Sequence, residues 1–429
     1  MNPNASKPKV VVLGGGFGGL ETAYALRSSL PERTDITLVS DRSYFLFKPN
    51  MIYIPFGLEE DKLHVDIARP AQRRGIRFLE ASVRDLDPVR KSFSYERDGE
   101  AHTDLYDYLV VATGAAMRPE EIPGLREYAR PIGTPADMLK LRPVLGRLLE
   151  RAKYGQMQKL LLSLPAHSLY GSALYEMAFM IDRWLREANV RDRVTITFTT
   201  AEKSYLDAFG PQVHEMTRTQ FDERGIVHHR GRTLHNVEQG AAHFAKTEVI
   251  PFDMMLTMPP YVASVPFAAL PSDERGFVDA HLASRRMKGL NDLFGVGDSC
   301  DFPVKQAFLA LQQADAAAEG IAADIEGRQP RFMFEPVSKF VLEGWDSGMF
   351  AQTPFSLEGG LHVDVANPQY RTGHSPLWRM GKKMLGTMVP WRFSQGEPFN
   401  AGLSSTGLEL GVKIMTGVMA GHKHAEPVP

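Results

Sequence analysis

The sequence contains almost no cysteine, and this excludes several kinds of protein. Its 429 residues include one cysteine, Cys300. A single thiol forms no intramolecular disulfide and supplies no cysteine cluster for a metal, so we expect neither. This composition agrees with a reducing, cytoplasmic compartment. The N-terminal residues MNPNASKPK contain no apolar segment and no twin arginine, so we also expect no signal peptide.

Long apolar runs and an excess of charge are absent as well. No segment approaches the roughly 18 to 20 uncharged apolar residues that a membrane-spanning helix needs, so we expect any membrane contact to be peripheral. The 49 lysine and arginine residues nearly balance the 51 aspartate and glutamate residues, which leaves a formal net charge of -2. A balance this close to zero gives no indication of a nucleic-acid partner, and we predict none.

Two βαβ patterns predict the fold class. Residues 9–30 read as a strand, a glycine turn and a helix, followed by a strand at 36–39. A second such pattern covers residues 159–199, and a strand with an alanine-rich helix follows at 293–325. We predict an α/β protein with two Rossmann-like dinucleotide-binding domains, the first discontinuous, and a C-terminal membrane or interface region. The predicted bounds are 1–135 with 276–330 for the first domain, 136–275 for the second domain and 331–429 for the C-terminal region.

The first glycine turn has the pattern Gly14-x-Gly16-x-x-Gly19, between a strand and a helix. The first glycine permits the tight turn, the second lets a pyrophosphate approach the backbone, and the third lets the helix pack closely. Free N–H groups at the helix N-terminus then face the phosphates. Ser40 and Asp41 end the next strand, where an acidic residue commonly binds ribose, and a serine hydroxyl can also do so. This turn predicts a dinucleotide-binding site.

Two later strands end in turns that suit a flavin. Residues 109–115 (LVVATGA) form one, and residues 293–307 carry Gly297-Asp298 ahead of a helix. Glycine permits close backbone approach, and the aspartate can accept hydrogen bonds from ribityl hydroxyls. In this order, around an inserted βαβ unit, the motifs resemble the flavoproteins with two dinucleotide-binding domains. That resemblance implies FAD as the cofactor of the first domain.

The complete motif order resembles one branch of these flavoproteins, the sulfide:quinone oxidoreductases and flavocytochrome c sulfide dehydrogenases, with type II NADH dehydrogenases as further relatives. The motifs are SYFLFKPN, ATG, IPGL, MMLTMPPY, DERGFVD, VGDS and PVKQA. The resemblance implies that Lys305 stabilises negative charge on the reduced flavin; a solvated surface lysine is the alternative. The implied FAD-binding residues are Gly14, Gly16, Phe17, Gly19, Ser40, Asp41, Lys48, Pro49, Ser82, Val83, Ala112, Thr113, Gly114, Gly297, Asp298, Lys305 and Gln306.

The second βαβ unit lacks the glycines of a nucleotide-binding turn. Residues 163–172 read SLPAHSLYGS, in which only Gly171 remains. The bulky side chains in this stretch would crowd a pyrophosphate, so we predict that the unit has lost its NAD(P)H site, as in the sulfide-oxidising branch. His167 in this loop is a candidate proton carrier beside the flavin; a solvated loop histidine is the alternative.

The redox cysteine pair of the sulfide:quinone oxidoreductases is also missing. By resemblance, Ser168 or a neighbour occupies the place of the first cysteine and Lys339 that of the second. Neither residue can form a disulfide or carry a persulfide, so the usual mechanism of the family is unavailable. Cys300 follows the Gly-Asp turn and is a candidate catalytic thiol; a small buried side chain is the alternative.

The C-terminal region differs from the rest in composition. Residues 371–393 contain five basic and no acidic residues, and helical spacing predicts an interfacial helix that ends at Pro390. Its predicted apolar face comprises Leu377, Trp378, Gly381, Met384, Leu385, Met388 and Trp391, with Arg379, Lys382 and Lys383 opposite. Residues 408–419 form a second amphipathic stretch. The alternative to membrane contact is that both stretches dock on the flavin domains or on another subunit. By resemblance, Phe340, Trp345, Phe350 and Trp391 are candidates for a quinone channel.

We therefore predict an FAD-dependent oxidoreductase, similar to sulfide:quinone oxidoreductases, that passes electrons from a small donor to a quinone or a protein acceptor. The donor could be a sulfur species, attacking the flavin directly or through Cys300. Two alternatives stay open: an NADH:quinone oxidoreductase, and a non-catalytic flavin-bearing subunit of a larger complex. We expect a homo-oligomer or a subunit of a complex, with peripheral membrane contact through residues 371–393.

Overall fold

The computed structural model describes residues 7–169, 171–245, 248–356 and 360–400. The helices are α1 (Phe17–Ser29), α2 (Ala68–Arg73), α3 (Leu125–Tyr128), α4 (Pro135–Lys153), α5 (Gly171–Glu187), α6 (Pro211–Glu223), α7 (Ala307–Glu326) and α8 (Pro376–Ser394). The strands up to residue 131 are β1 (Lys9–Leu13), β2 (Asp35–Ser40), β3 (Tyr44–Leu46), β4 (His64–Asp66), β5 (Arg77–Glu80), β6 (Ser82–Asp87), β7 (Ser92–Arg97), β8 (Glu100–Leu105), β9 (Tyr108–Val111), β10 (Ala115–Met117) and β11 (Arg130–Pro131). The later strands are β12 (Gln158–Leu164), β13 (Val194–Thr200), β14 (Val227–His229), β15 (Leu234–Glu238), β16 (Ala241–Phe244), β17 (Val249–Pro251), β18 (Met254–Thr257), β19 (Tyr261–Ala263), β20 (Leu293–Gly295), β21 (Val337–Glu343), β22 (Gly348–Ser356), β23 (His362–Val363) and β24 (Arg371–Ser375).

The first domain is built on a parallel five-stranded sheet with the order β20-β9-β1-β2-β5. Its central strand β1 is buried from Val10 to Leu13, as expected for a parallel strand covered on both faces. The edge strand β20 pairs with β9, with Leu293 opposite Leu109, so the sheet is completed by a distant part of the chain. Helices α1 and α7 pack against each other beside this sheet. The predicted discontinuous Rossmann-like domain is confirmed.

The second domain repeats the architecture with the strand order β11-β18-β12-β13-β14, and all four pairings are parallel. Helix α5 follows β12 and is buried along most of its length against the core of this sheet. The predicted second Rossmann-like unit is therefore confirmed. The exact bounds predicted for the domains stay predictions.

The C-terminal region is a small antiparallel sheet with one long helix. Strand β22 pairs with β21, β23 and β24, and α8 packs on β21 and β22. In the described part of the chain, no helix combines the length with the apolar character needed to cross a membrane. The second predicted amphipathic stretch, residues 408–419, lies outside the described residues.

The prediction of one helix over residues 371–393 was wrong at both ends. Residues Arg371–Ser375 form β24, and α8 begins at Pro376, where the Ser375 hydroxyl accepts a hydrogen bond from the backbone N–H of Leu377. Proline suits this first helical position because its missing N–H would have no partner there. The helix also continues through Pro390 to Ser394. Val389 and Phe393 are buried on either side of Pro390, and we infer that this packing outweighs the lost hydrogen bond.

The predicted division of this helix into an apolar and a basic face was also wrong. Trp378 is buried and stacks on Phe350 with the ring centroids 3.9 Å apart, whereas Leu377, Met380, Met384 and Trp391 are exposed. Arg379 and Lys382 point inward to buried carboxylates, while Lys383 is exposed. The sequence pattern of one helix could not show these partners, because they lie on β21 and α5.

Candidate functional site

One cavity joins all three parts of the structure. It has a volume of about 620 Å³, and its wall includes the glycine turn after β1, the N-terminal end of α5, strand β21 and helix α8. Ligand sites in doubly wound sheets lie outside the carboxyl ends of the strands, and this cavity begins there on the first sheet. The site is therefore assembled from the first domain, the second domain and the C-terminal region together.

The glycine turn fits a bound pyrophosphate. Gly14 has a positive φ of 119°, and a Cβ at this position would overlap the carbonyl oxygen of Ala112. A Cβ on Gly19 would overlap the carbonyl oxygen of Gly14, so this glycine permits the close packing of α1 on the turn. By contrast, a Cβ on Gly16 would meet no protein atom within 4 Å, because this backbone faces the cavity. The first turn of α1 has no side-chain cap, which leaves its N–H groups for an anion.

The rest of the first-domain wall supplies polar groups for the remainder of FAD. The Thr113 hydroxyl is buried on the cavity wall and has no hydrogen-bond partner in the structure, which is unusual for a buried polar atom. Ser40 and Asp41 lie on the wall at the end of β2, where they can meet a ribose. Because an orphaned hydroxyl, an open glycine and an uncapped helix end meet in one cavity, the residues present fit FAD.

Two lysines carry positive charge at this wall. Lys305 is almost fully buried; its ammonium group donates to the Cys300 carbonyl and lies 4.1 Å from the centroid of the Phe277 ring. Burial lowers the pKa of Lys305, and the nearby groups, Cys300 and Asp298 foremost, oppose this shift. Lys48 reaches solvent through the cavity and is otherwise enclosed by protein, and this desolvation lowers its pKa while Asp298 opposes the change.

The structure brings most of the predicted cofactor residues together. Gly19, Cys300 and His167 are not among the residues that line the cavity. The residues that line it are Gly14, Gly16, Phe17, Ser40, Asp41, Lys48, Pro49, Ser82, Val83, Ala112, Thr113, Gly114, Gly297, Asp298, Lys305 and Gln306. The individual roles of all these residues stay predictions.

The two other predicted catalytic residues lie apart from the cavity. Cys300 is completely buried in the apolar cluster that includes Leu109 of β9 and Leu293 of β20, and burial raises the pKa of its thiol. A thiol of this kind is a poor nucleophile, because the thiolate is the reactive form. His167 is exposed in the loop after β12, where it has a positive φ of 62° and its carbonyl accepts from the backbone N–H of Tyr261.

Ser168 and Lys339, which the resemblance places at or near the positions of the two cysteines, differ in their access to the cavity. Lys339 lies on its wall, on strand β21. The hydroxyl of Ser168 instead donates to the carbonyl of Met258 at 2.5 Å and does not line the cavity. Of the candidates for a quinone channel, Phe340 lines the cavity, whereas Trp345, Phe350 and Trp391 do not.

The acidic residue after β13 in the second domain makes internal hydrogen bonds. Glu202 lies two residues beyond the end of β13, close to the place that Asp41 takes directly after β2. Its carboxylate accepts hydrogen bonds from the Tyr175 hydroxyl at 2.6 Å, the Thr200 hydroxyl at 2.9 Å and the backbone N–H of Asp207 at 3.2 Å. These donors occupy three of the roughly four acceptor sites of the carboxylate.

The C-terminal region then covers the loop that contains Glu202. Phe209 packs on Phe340 with the ring centroids 4.5 Å apart, and the Tyr370 hydroxyl donates to the Phe209 carbonyl at 3.1 Å. These contacts hold the loop after β13 against the C-terminal region, and the loss of an NAD(P)H site in the second domain stays a prediction.

Glu176 and Lys382 are candidate site residues that the sequence motifs do not indicate. Glu176 on α5 and Lys382 on α8 both line the cavity, and the Lys382 ammonium donates to the Glu176 carboxylate. The same carboxylate accepts from the backbone N–H of Glu343 at 2.7 Å. Burial raises the pKa of Glu176, and Lys382 opposes the shift. One sequence signal was available: Glu176 is the acidic residue within the apolar run ALYEMAFMI of α5.

A second buried carboxylate lies directly behind this pair. Glu343 on β21 is fully buried and accepts from Arg379 at 2.7 Å, from the backbone N–H of Trp345 at 2.7 Å, and from the Tyr53 hydroxyl. Burial and this carboxylate raise the pKa of Tyr53. The buried charges are therefore paired, and they connect the second domain, β21, α8 and the segment Lys48–Phe56 at the cavity wall.

Comparison with known proteins agrees with this geometry. Residues 8–152 match the family described as pyridine nucleotide-disulphide oxidoreductase. The chain is 28% identical to the sulfide-quinone reductase of Aquifex aeolicus over 80% of this chain and 83% of that protein. It is 26% identical to the demethylphylloquinone reductase NdbB of a Synechocystis strain, over 82% of this chain and 89% of that one.

The fold is also similar to a solved structure. The crystal structure of the sulfide:quinone oxidoreductase from Aquifex aeolicus matches with a TM-score of 0.85 at 22% identity, and covers 95% of this chain and 96% of that chain. The resemblance inferred from the motifs is therefore confirmed, and the residues at the cavity fit the cofactor that it implies. The chain is an FAD-dependent oxidoreductase with two dinucleotide-binding domains, similar to the sulfide:quinone oxidoreductases.

Proposed function

We propose that this enzyme transfers electrons from a small reduced donor, through FAD, to a quinone. The observation that carries the proposal is the continuity of the cavity from the glycine turn of the first domain to the wall formed by β21 and α8. The two curated relatives described above are both named as quinone reductases, which supports a quinone as the acceptor. Bound FAD supplies the two-electron carrier between donor and acceptor.

The residues of the chain contribute charge and protons to this reaction. Lys305 and Lys48 place positive charge at the first-domain wall, where it stabilises negative charge on a bound ligand. Glu176 retains its proton to a higher pH than an ordinary carboxyl, because burial disfavours its charged form. A quinone takes up two protons when it becomes a quinol, and Glu176 is a carboxyl on the cavity wall that can supply one of them.

We propose a sulfur species as the donor, and that it reacts with the flavin without a cysteine pair. The single cysteine of the chain is buried away from the cavity, so it is poorly placed to meet a donor from solvent. The crowded turn after β12 and the occupied Glu202 argue against NADH as the donor.

Anaerobic flavin absorbance tests the donor and the acceptor together. We expect sulfide to bleach the flavin of the purified enzyme and of the variant Cys300→Ser at similar rates, and a soluble quinone to restore the colour. NADH is expected to leave the spectrum unchanged. Bleaching by NADH would contradict the proposal and favour an NADH:quinone oxidoreductase. If neither donor bleaches the flavin, the alternative of a non-catalytic subunit gains support.

We also propose that the exposed face of α8 contacts a membrane surface. Met380, Met384 and Trp391 are each more than half exposed, and Lys383 lies beside them. Exposed apolar side chains with a neighbouring lysine suit an interface with anionic lipid. The homo-oligomer or complex subunit and the cytoplasmic location stay predictions.

Flotation with anionic liposomes tests the membrane contact. We expect the double variant Met380→Glu/Met384→Glu to lose binding to the vesicles. The matched control is Met157→Glu, at an exposed methionine of the second domain, which should bind like the original protein. Equal binding by both variants would contradict a role for this face.

A further inference from the structure

The wall of the cavity that fits FAD carries more positive than negative side chains. Among the described residues that line it, six are lysine or arginine and three are aspartate or glutamate. The six cationic residues are Arg42, Lys48, Arg84, Lys305, Lys339 and Lys382. A cleft lined mainly by one sign of charge raises the local concentration of ions of the opposite sign. The wall as a whole therefore favours anionic ligands.

The acidic residues of the wall lie beside cations of the first domain and of α8. They are Asp41, 3.5 Å from the Arg42 guanidinium, Glu176, bonded to Lys382, and Asp298, whose charge opposes the lowering of the pKa of Lys48 and Lys305 by burial. Lys339 belongs instead to β21 of the C-terminal region. Its charge is therefore added to the wall by a different part of the chain.

Lys339 is the charged residue of an apolar part of the wall. The neighbouring lining residues are Phe340, Val341 and Leu342 of β21 with Ala307 and Phe308 at the start of α7. The Lys339 ammonium lies 5.3 Å from the centroid of the Phe308 ring, within the range of a cation–π contact. Apolar surroundings strengthen the attraction between this ammonium and an anion, because the effective dielectric constant is lower than in water.

The position of this ammonium is set by the fold. The buried Ser338 hydroxyl, next to Lys339 in β21, donates to the side-chain oxygen of Gln306, which directly precedes α7. Strand β21 is also paired along its length with β22, where Lys339 lies opposite Gln352. A cation held in place before the ligand arrives binds an anion with a smaller loss of conformational entropy.

The proposed electron donor and acceptor differ in charge. A sulfur nucleophile reacts as its anion, the thiolate form, whereas a quinone is uncharged when it binds. An ammonium group in an apolar wall therefore discriminates in favour of the donor. Since the interaction is ionic, it needs no cysteine, and no covalent bond forms or breaks on binding.

We propose that Lys339 is a specificity-determining residue, whose ammonium group binds a small anionic sulfur nucleophile with a terminal sulfur. Hydrosulfide and the persulfide of a small thiol share this chemistry. The inference rests on the proposed function, in which a sulfur species is the donor. It adds the charge of the donor and the residue that recognises it.

Calorimetric titration of the FAD-loaded full chain with thiocyanate tests the anion site without turnover. Thiocyanate is a small anion with a terminal sulfur, and it does not reduce a flavin. We expect Lys339→Gln to raise the thiocyanate Kd at least about tenfold, as for the loss of one hydrogen bond to a charged group. Lys339→Arg keeps the positive charge and should bind thiocyanate nearly as well as the original protein.

Stopped-flow bleaching of the flavin identifies the donor. For hydrosulfide or for a small persulfide, we expect Lys339→Gln to raise the half-saturating concentration at least about tenfold and to change the limiting rate little, as for a loss of binding alone. The donor that shows this change is the ligand of Lys339. The FAD affinity and the midpoint potential of the flavin should stay as in the original protein.

The matched control is Lys153→Gln, which removes the same charge from an exposed lysine of α4 that pairs with Glu150 at 3.0 Å. It should leave thiocyanate binding and both donor constants unchanged. Equal thiocyanate affinity in Lys339→Gln and the original protein would overturn the proposal. So would an equal loss in Lys153→Gln, or a changed FAD affinity or flavin potential in Lys339→Gln, which would assign Lys339 to the cofactor.

The two measurements also separate this inference from the proposed function. If thiocyanate binding depends on Lys339 but hydrosulfide and the persulfide both leave the flavin oxidised, the anion site stands and the proposed sulfur donor is wrong. If sulfide bleaches the flavin with the same half-saturating concentration in Lys339→Gln, the proposed function stands and Lys339 does not bind the donor.

Discussion

The ammonium group of Lys382 on α8 donates to the buried carboxylate of Glu176 on α5, and both side chains lie on the wall of the cavity. This pair places a titratable group from the second domain beside the site of a cofactor bound mainly by the first. Buried ion pairs are costly to desolvate and contribute little net stability, so their position at a cavity favours a functional explanation.

We predict that Glu176→Gln slows quinone reduction by about 100-fold or more, since a positioned acid commonly contributes a factor of this size. Burial raises the pKa of Glu176, so its proton is present at low pH and is lost as the pH rises through that value. The rate of the original enzyme should therefore fall with rising pH, and this fall should disappear in the variant. Stopped-flow oxidation of the reduced enzyme by a short-chain ubiquinone from pH 5 to pH 9 measures both effects. Glu326→Gln, at an ion pair on the surface, is the control and should leave the profile unchanged.

Gly16 and Gly19 should respond differently to substitution by alanine. Gly16→Ala should leave the unfolding temperature of the apoprotein unchanged and weaken FAD binding at least about tenfold, because the new methyl group enters the cavity where a phosphate approaches. Gly19→Ala should destabilise the apoprotein by about 1–3 kcal/mol or more, because its methyl group overlaps the Gly14 carbonyl. Thermal unfolding and FAD titration separate the two effects, and an equal loss of stability in both variants would contradict this assignment.

We predict that Thr113→Val weakens FAD binding by about 0.5–1.5 kcal/mol, the usual net value of one hydrogen bond. The same change should leave the apoprotein as stable as before, because the Thr113 hydroxyl makes no hydrogen bond in the structure. Thr217→Val is the control: the Thr217 hydroxyl donates to the Val213 carbonyl at 2.8 Å, so its loss should lower stability without affecting FAD. Normal FAD affinity in Thr113→Val would show that this hydroxyl does not contact the cofactor.

The buried ion pair between Arg379 and Glu343 should contribute far more to the free energy of unfolding than a surface ion pair. Arg379→Met leaves the fully buried Glu343 without its cation, and we expect the free energy of unfolding to fall by about 3–5 kcal/mol. Arg33→Met removes an exposed partner of Glu326 and should cost about 0–1 kcal/mol. Denaturant titration of both variants measures the difference, and similar values would mean that solvent reaches Glu343.

The sequence predicts the parts of this structure that are encoded locally. The spacing from Gly14 to Gly19, between an apolar strand and a helix, indicates both the first domain and its cofactor, because each glycine has a separate steric reason. The single glycine in residues 163–172, Gly171, likewise indicates a second unit with a changed turn. Both arguments need only neighbouring residues, and the fold confirms the two Rossmann-like units that they predict.

The parts that could not be predicted depend on distant partners. Helical spacing alone places Arg379 and Lys382 on a solvent-facing side, because it contains no information about Glu343 and Glu176. The continuation of α8 through Pro390 similarly depends on the burial of Val389 and Phe393 in the first domain. A carboxylate within the apolar run of α5 was the one local sign that a cation would come from elsewhere.

The place of Phe399 in the cavity wall has a consequence for the biosynthesis of the protein. The glycine turn at residues 14–19 leaves the ribosome early, and its sheet needs β20 at Leu293–Gly295 before it is complete. The wall still lacks Leu385, Val389 and Phe399 at that stage. A nascent chain can therefore form the phosphate-binding turn long before it can enclose a flavin. FAD can therefore reach its final surroundings only after residue 399 has joined the wall.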